Sequence, residues 1–362
     1  MKKRYLTVGI ILLFIGTCII PSTTSELNPK NNIITVDDEP GDADFTSIKE
    51  AVNYSSPGDT IEVYSGIYRE DGIRILKENV NLLGIDHELG EGGDTGKPFI
   101  KPDGSATVII VEESYVIVSN FRIEKLSSST CIRLGSDEAS RNQNNNTISD
   151  CNICNPHGNG IVFNGIGRDI NIINNTINDC NPHGISADSL DFTIKDNTIT
   201  SCTHVGIDIQ LCHGKNISHN TIRFCGTGIR MYYGSNNVIC GNNIGSCNTG
   251  ILNRLGNDNT ISGNNIELCP FGFSNECGTR NSIINNNFKE CWYFLPWFEV
   301  SFIDFLKKDK WIGNYWDNWK GVGPKRIFGI MVIGIPLGEF GIPIPIPRFE
   351  YDWYPAKEPY DI

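Results

Sequence analysis

NTISDC at 146–151, NTINDC at 175–180, NTITSC at 197–202, NTIRFC at 220–225, NNIGSC at 242–247, NNIELC at 264–269 and NNFKEC at 286–291 repeat one phrase, Asn-x-Ile-x-x-Cys, with Phe288 in the last Ile slot. A second signal, Gly-Ile, falls between the copies at Gly160, Gly184, Gly206, Gly228 and Gly250, with Gly272-Phe273 as the sixth. The Gly steps are 24, 22, 22, 22 and 22 residues. A fixed period near 22 that contains strand-like residues is the signature of a solenoid.

The residues within the period decide which solenoid. Apolar residues alternate over short runs, as in Thr193-Ile194-Lys195 and Gly206-Ile207-Asp208-Ile209, and Gly or Asn interrupts each run. This is the period of two of a strand broken by turns. Parallel stacking sets like residues about 4.8 Å apart. One inward row is then expected from Ile172, Ile194, Ile217, Ile239, Ile261 and Ile283, and another from Ile148, Ile177, Ile199, Ile222, Ile244 and Ile266. The seven Asn read as a ladder at a turn, since Asn tolerates left-handed backbone and bonds its neighbours. Cys151, Cys180, Cys202, Cys225, Cys247, Cys269 and Cys291 read as a column of buried thiols acting as small hydrophobes. In-register Cβ atoms run parallel, which suits neither a disulfide nor a tetrahedral zinc site.

Composition fits an exported solenoid. The chain has 362 residues, a net charge of −12, 37 Gly, 17 Pro and 39% hydrophobic residues. The acidic balance and the lack of a basic patch argue against nucleic acid. Residues 1–25 read as a signal peptide: Lys2, Lys3 and Arg4, an apolar run from Leu6 to Ile20, then small residues to Ser25. Secretion or display at the cell surface follows, with peripheral or anchored membrane association as the outcome if the segment is not cleaved. The sequons at Asn53, Asn145, Asn174 and Asn216 suit a glycosylated exterior.

Residues 26–70 form an N-terminal cap and first strands. Phe45, Ile48, Ala51 and Val52 have helical spacing, Asp44 is placed to cap, and Ser47-x-x-Glu50 is a capping-box pattern. Such a helix would hide the unpaired edge of the first coil. Coils occupy 71–291. In the earlier, less regular ones Phe121, Ile123 and Leu126 take the Asn, Ile and Cys slots, and Asp86 to Lys97 is a Gly- and acid-rich excursion. The interval from Asn146 to Asn175 is 29 residues, which places an inserted loop between Cys151 and Gly160. Cys151, Cys154 and His157 within it are a weak metal candidate, and no metal or cofactor is assigned. Residues 292–362 form a C-terminal cap that holds all six Trp.

The PGDTIEVYSGIYRE stretch at 57–70, preceded by a short helix and followed by these coils, resembles the right-handed parallel β-helix proteins of the pectin-lyase-like fold. Within these it is similar to the NosD-like group and its archaeal surface or periplasmic relatives. GNYWDNWKG at 313–321 resembles the closing motif of that group, and Asp352 to Pro355 its terminal Asp-x-x-Pro. The resemblance implies an all-β right-handed parallel β-helix with a short N-terminal helix and an aromatic C-terminal cap. Its name also implies an accessory role in metalloenzyme maturation.

Function is sought on the outward face. With positions one and three after each Gly inward, positions two and four point out. The second-position column reads Val162, Ser186, Asp208, Arg230, Leu252, Ser274, and the fourth Asn164, Asp188, Gln210, Tyr232, Arg254, Glu276. Asp188, Asp208, Gln210, Arg230, Tyr232 and Arg254 thus share a patch whose carboxylates, guanidinium forks and aromatic face suit glycan or cell-surface polysaccharide. A solvated face with an Asp208–Arg230 pair is the competing reading. Two carboxylates also admit a polysaccharide lyase or glycoside hydrolase. The Asn-Thr-Asp and Arg-Ile-Lys phrases of polygalacturonase-like relatives are absent, so no catalytic residue is assigned.

Overall fold

A computed structural model describes residues 32–90, 92–135, 143–165, 167–189, 191–291, 297–299, 308–337 and 340–362. Residues 1–25, the expected signal peptide, lie outside them, as does most of the aromatic segment from Trp292 to Phe305. From Asn31 onward the chain is a right-handed parallel β-helix with three strands per coil. The first ladder carries the Gly-Ile strands and runs from Ile73–Ile75 through Val205–Gln210 and Thr227–Tyr232. The second starts at Ile33–Val36 and passes through Phe192–Lys195 and Lys310–Ile312. The third runs from Ile67–Tyr68 to Tyr315–Trp316. A hairpin of Lys325–Leu337 and Phe340–Asp352, the Gly/Ile/Pro run of the sequence, extends the first two ladders at the C-terminal end.

The expected row Ile172, Ile194, Ile217, Ile239, Ile261, Ile283 is in register and fully buried. The other row needs one correction. Ile148 pairs with Ile172 in the second ladder, and Ile153 is the residue paired with Ile177 in the third. The physical reason is that each later coil holds two Asn-x-Ile corners, at Asn237, Asn259 and Asn281 as well as at Asn242, Asn264 and Asn286. Asn146 belongs to the first kind of corner, and Cys151 occupies the Asn slot of the second, its N–H donating 3.0 Å to Asn175 Oδ1 across 24 residues. The 29-residue interval is therefore a comparison between two different corners, and no extra loop is needed to explain it. Cys151 likewise leaves the thiol column, which is Cys180 to Cys291. Leu126 does not fill a thiol slot: it is exposed.

The Asn ladder works through hydrogen bonds. The backbone N–H groups of Asn175, Asn197, Asn220, Asn242, Asn264 and Asn286 each donate to Oδ1 of the ladder Asn in the next coil at 2.9–3.0 Å. Each Nδ2 donates forward to the same oxygen and back to an Ile carbonyl of the preceding coil, as Asn220 Nδ2 does to Asn242 Oδ1 and Ile194 O at 3.0 Å. Buried polar groups require such partners. The left-handed residue of each turn is the one before the ladder position: Asn174, Asp196, His219, Gly241, Gly263 and Asn285 all have φ between 54 and 65°. A second ladder links Lys215 N–H to Asn237, Asn237 to Asn259, Asn259 to Asn281 and Asn281 to Asp309 at 2.8–3.0 Å.

The repeated Gly has a steric cause. A Cβ at Gly184 would lie 2.7 Å from Gly206 O, 2.8 Å from Ile199 Cγ2 and 3.0 Å from Cys202 Sγ. The twelve described cysteines are free thiols. The thiols of Cys180, Cys202, Cys225, Cys247 and Cys269 each donate to the carbonyl two residues earlier at 3.3–3.8 Å, and the neighbouring thiols of the column, with burial, push Cys225 and Cys247 up to about 12. The column is packing material and a poor nucleophile.

At the N-terminal end a helix, Ile48–Tyr54, buries Ile48, Ala51 and Val52 against the first coils. Ser47 caps it by accepting from Glu50 N–H at 3.2 Å, and Glu70 reaches over to accept from Ile48 and Lys49 N–H at 3.0 and 2.9 Å. Asp44 does not cap; its carboxylate accepts from Thr35 N–H at 2.9 Å and pins the first strand. At the other end Trp316 stacks on Phe288 with ring centroids 4.5 Å apart, and Trp311 packs edge-on to Phe273 at 5.7 Å.

Candidate functional site

The register places the predicted columns side by side. Asp208 pairs with Ser186 and Arg230, and Gln210 pairs with Tyr232, which pairs with Arg254. The side chains at these positions do different jobs. Asp208 is fully buried although it points away from the core. Arg230 lies over it as a fork, Nε to Oδ1 at 2.7 Å and Nη2 to Oδ2 at 2.8 Å, and Gln210 Nε2 donates to Oδ2 at 2.7 Å. Such bidentate pairs are the strong form of ion pair. Asp208 therefore holds two neighbours in place and offers no free oxygen to a ligand. The competing pairing of Asp208 with Arg230 is present, and it organises the patch.

The surface above that pair is made by other residues. Arg254 is exposed and its guanidinium carbon lies 5.4 Å from the Tyr232 ring centroid, while its Nε meets Glu276 Oε2 at 3.4 Å. Tyr233 turns back beside Tyr232, ring centroids 4.5 Å apart and edge-on, because its left-handed φ of 55° redirects the chain at the strand end. The two rings and the guanidinium form one small aromatic and cationic platform. Asp188 is exposed two strands from Tyr232, on the far side of the Asp208 strand, and desolvation raises its carboxyl above the ordinary value.

Two histidines join this region. His183 Nε2 lies 3.9 Å from Asp208 Oδ2, and its ring is 6.2 Å from that of His204. His183 stands one residue and His204 two residues before its Gly, so register does not align them; side-chain reach brings the rings together all the same. Burial lowers the His183 pKa against the opposing pull of Asp208, so the ring is neutral at neutral pH. Its buried Nδ1 has no hydrogen-bond partner. Tyr233 carried a sequence signal, as the second of two adjacent aromatics at a strand end. The approach of His183 to Asp208 carried none.

Cys151, Cys154 and His157 do not converge. The groups of three or more ligand atoms that lie within reach of one another, among the described residues, are acidic and sit near the N-terminal end.

A family model described as right handed beta helix region matches residues 99–227 and 184–294. No curated protein matches the sequence. Among solved structures, a DFA-IIIase from Arthrobacter chlorophenolicus A6 without its lid aligns with a TM-score of 0.56 and 14% identity, over 78% of this chain and 87% of that one. The same enzyme in complex with GF2 aligns with a TM-score of 0.55 and 13% identity, over 78% and 86%. A GH136 lacto-N-biosidase from Eubacterium ramulus aligns with a TM-score of 0.51 and 12% identity, over 78% of this chain; the chain spans 64% of that protein's length. At these identities the likeness is one of fold.

Proposed function

The chain belongs to the right handed beta helix family, and on that premise we propose that it binds a glycan across the Gly-Ile ladder without cleaving it. The observation that carries this reading is the platform of Tyr232, Tyr233 and Arg254 above the Asp208–Arg230 pair. Aromatic faces stack on the C–H side of a sugar ring, and guanidinium groups donate to its hydroxyls or carboxylate. A rigid sheet holds these groups at fixed spacing and so lowers the ordering cost of binding. Several solved neighbours are named for carbohydrate-active enzymes, which makes glycans the first ligands to test.

The arrangement of the carboxylates supports binding without cleavage. Glycoside hydrolysis uses two of them flanking the bond. Both oxygens of Asp208 are taken, and Glu276, the other carboxylate of the fourth-position column, lies against Arg254 four strands away from Asp188. We infer from the expected signal peptide at 1–25 that the protein acts outside the cell or at its surface. No helix among the described residues is long and apolar enough to cross a membrane.

Pull-down on immobilised neutral and acidic polysaccharides tests the proposal. Tyr232→Ala with Tyr233→Ala should weaken binding about tenfold or more, the loss of roughly 1.4 kcal/mol of stacking. Undiminished binding by that double variant would remove the platform from consideration. New reducing ends or unsaturated products from a bound polymer would instead favour a hydrolase or lyase.

A further inference from the structure

Residues 86–90 and 92–97 of the Gly- and acid-rich excursion run back past one another as the two arms of a loop. His87 bridges antiparallel to Thr95, and Asp94 N–H donates to Glu88 Oε2 at 3.0 Å, so Glu88 and Asp94 lie side by side. Ser65 N–H donates to His87 O at 3.1 Å and docks the loop on the first coils. There it meets the end of the first strand, where the chain reads Val36-Asp37-Asp38-Glu39. Carboxylate oxygens of Asp37, Glu39 and Glu88 lie within 4.8 Å of one another, and so do those of Asp38, Glu39 and Asp94.

A carboxylate cluster alone can be a solvated surface. Three observations separate this one from that case. Asp37 is fully buried and its Oδ2 has no hydrogen-bond partner, although the residue belongs to the cluster with Glu39 and Glu88; Asp38 Oδ1 is buried and unpartnered as well. Gly66 leaves the room that Asp38 fills, since a Cβ there would lie 1.9 Å from Asp38 Oδ1. Gly92 does the same for Glu88, whose Cδ would lie 2.1 Å from a Cβ. The backbone is thus shaped to bring negative groups together, and the charges that bear on Asp37 are those of Glu88 and Asp38, both negative.

We propose that Asp37, Asp38, Glu39, Glu88 and Asp94 form a site for a calcium-sized divalent cation that fastens the 86–97 loop to the N-terminal cap. The donor set is all oxygen, which selects a hard cation. Carboxylates from two separate loops, without a rigid octahedral frame, suit the irregular and larger shell of Ca²⁺ better than that of Mg²⁺. The site is distinct from the glycan platform and does not depend on it.

The test uses the full chain stripped with chelator and titrated with CaCl₂ or MgCl₂. Two signals are read: thermal midpoint, and terbium luminescence sensitised by Tyr64 and Tyr68, which border the cluster. Calcium should raise the midpoint by several degrees, with half-saturation in the range of about 0.1–1 mM typical of extracellular modules. It should also displace terbium and protect the loop from proteolysis at 88–94. Glu88→Gln with Asp94→Asn, both on the loop and outside the core, should weaken binding at least about tenfold while the metal-free protein keeps its midpoint. Asp258→Asn, on the far side, should leave the titration unchanged. No midpoint shift and no terbium signal up to 10 mM calcium, a figure about ten times the weakest expected affinity, would overturn the site. So would a titration that the double loop variant leaves intact.

Discussion

At the C-terminal end of the solenoid, buried Asp352 accepts from the N–H groups of Gly313 and Asn314, from Asn314 Nδ2 and from Trp316 Nε1 at 2.9–3.2 Å. At the N-terminal end, buried Asp37 accepts from its neighbour Asp38 N–H and otherwise faces carboxylates. The chemical group is the same and so is its burial. The difference is the supply of donors. The Asn ladders deliver N–H groups in one direction, toward the C-terminal end, where Asp352 terminates one and Asp309 the other. A carboxylate there completes the hydrogen bonding of the stack. Asp37, at the opposite end, receives no donor from the Asn ladders, and its Oδ2 has to find its counter-charge elsewhere.

Substitutions at the two ends test this contrast most directly. Asp352→Ala should cost about 4 kcal/mol in chemical denaturation, since several buried donors lose their acceptor at about 1–3 kcal/mol each. Asn242→Ala, in the middle of the ladder, should cost about 3 kcal/mol by stranding the backbone and side-chain donors of Asn220. A value near zero for either would mean that the ladders are incidental to stability.

Asp309 gives a prediction in pH. Burial, then the charge of Glu350, raises its carboxyl to about 7 in the folded protein from an ordinary value of 3.8. The folded state therefore binds more protons than the unfolded one between those values, so this group's stabilising contribution is present at low pH and is lost as pH rises through 7. The fall in thermal midpoint between pH 5 and pH 8 should be shallower in Asp309→Asn, measured with calcium saturating in both proteins so that the N-terminal acids do not contribute. An unchanged slope would place the titrating group elsewhere. The smallest effect is expected at the other end: Asp37→Asn in chelator should change stability by less than about 1 kcal/mol of either sign, because the substitution relieves repulsion while it leaves few donors unpaired. A large loss there would remove the contrast between the ends.

The parts of the molecule legible in sequence are those governed by period. The Gly-Ile steps located the strands, the alternation after each Gly gave the inward and outward columns, and the register of Asp208 with Arg230 and of Tyr232 with Arg254 follows from them. Phase within a coil was less legible. Asn146 and Asn175 carry the same phrase but stand at different corners, because Asn serves both, and only the position of Cys151 relative to Asn175 separates them. Alternation also says which way a side chain points without saying what lies over it, which is how outward-pointing Asp208 comes to be buried under Arg230 and Gln210. The acidic cluster was the least legible feature, since Asp37 and Asp94 are far apart in the chain and meet only when the 86–97 loop folds back.

The one-way Asn ladder has a consequence for how such a chain can be shortened. Every corner supplies its own donors and borrows its acceptor from the coil that follows it in sequence. Removing coils from the N-terminal side frees the side-chain oxygen of the first remaining ladder Asn and takes the acceptor from one backbone N–H beside it, as Thr221 N–H would lose Asn197 O. Removing them from the C-terminal side takes the shared acceptor from two buried donors of the last ladder Asn, its backbone N–H and its Nδ2, which is the larger loss at the corner. During synthesis the same asymmetry means that each completed coil waits for the next one to close its corner, and that the last segment to emerge, with Asp352, is the one that seals the whole column.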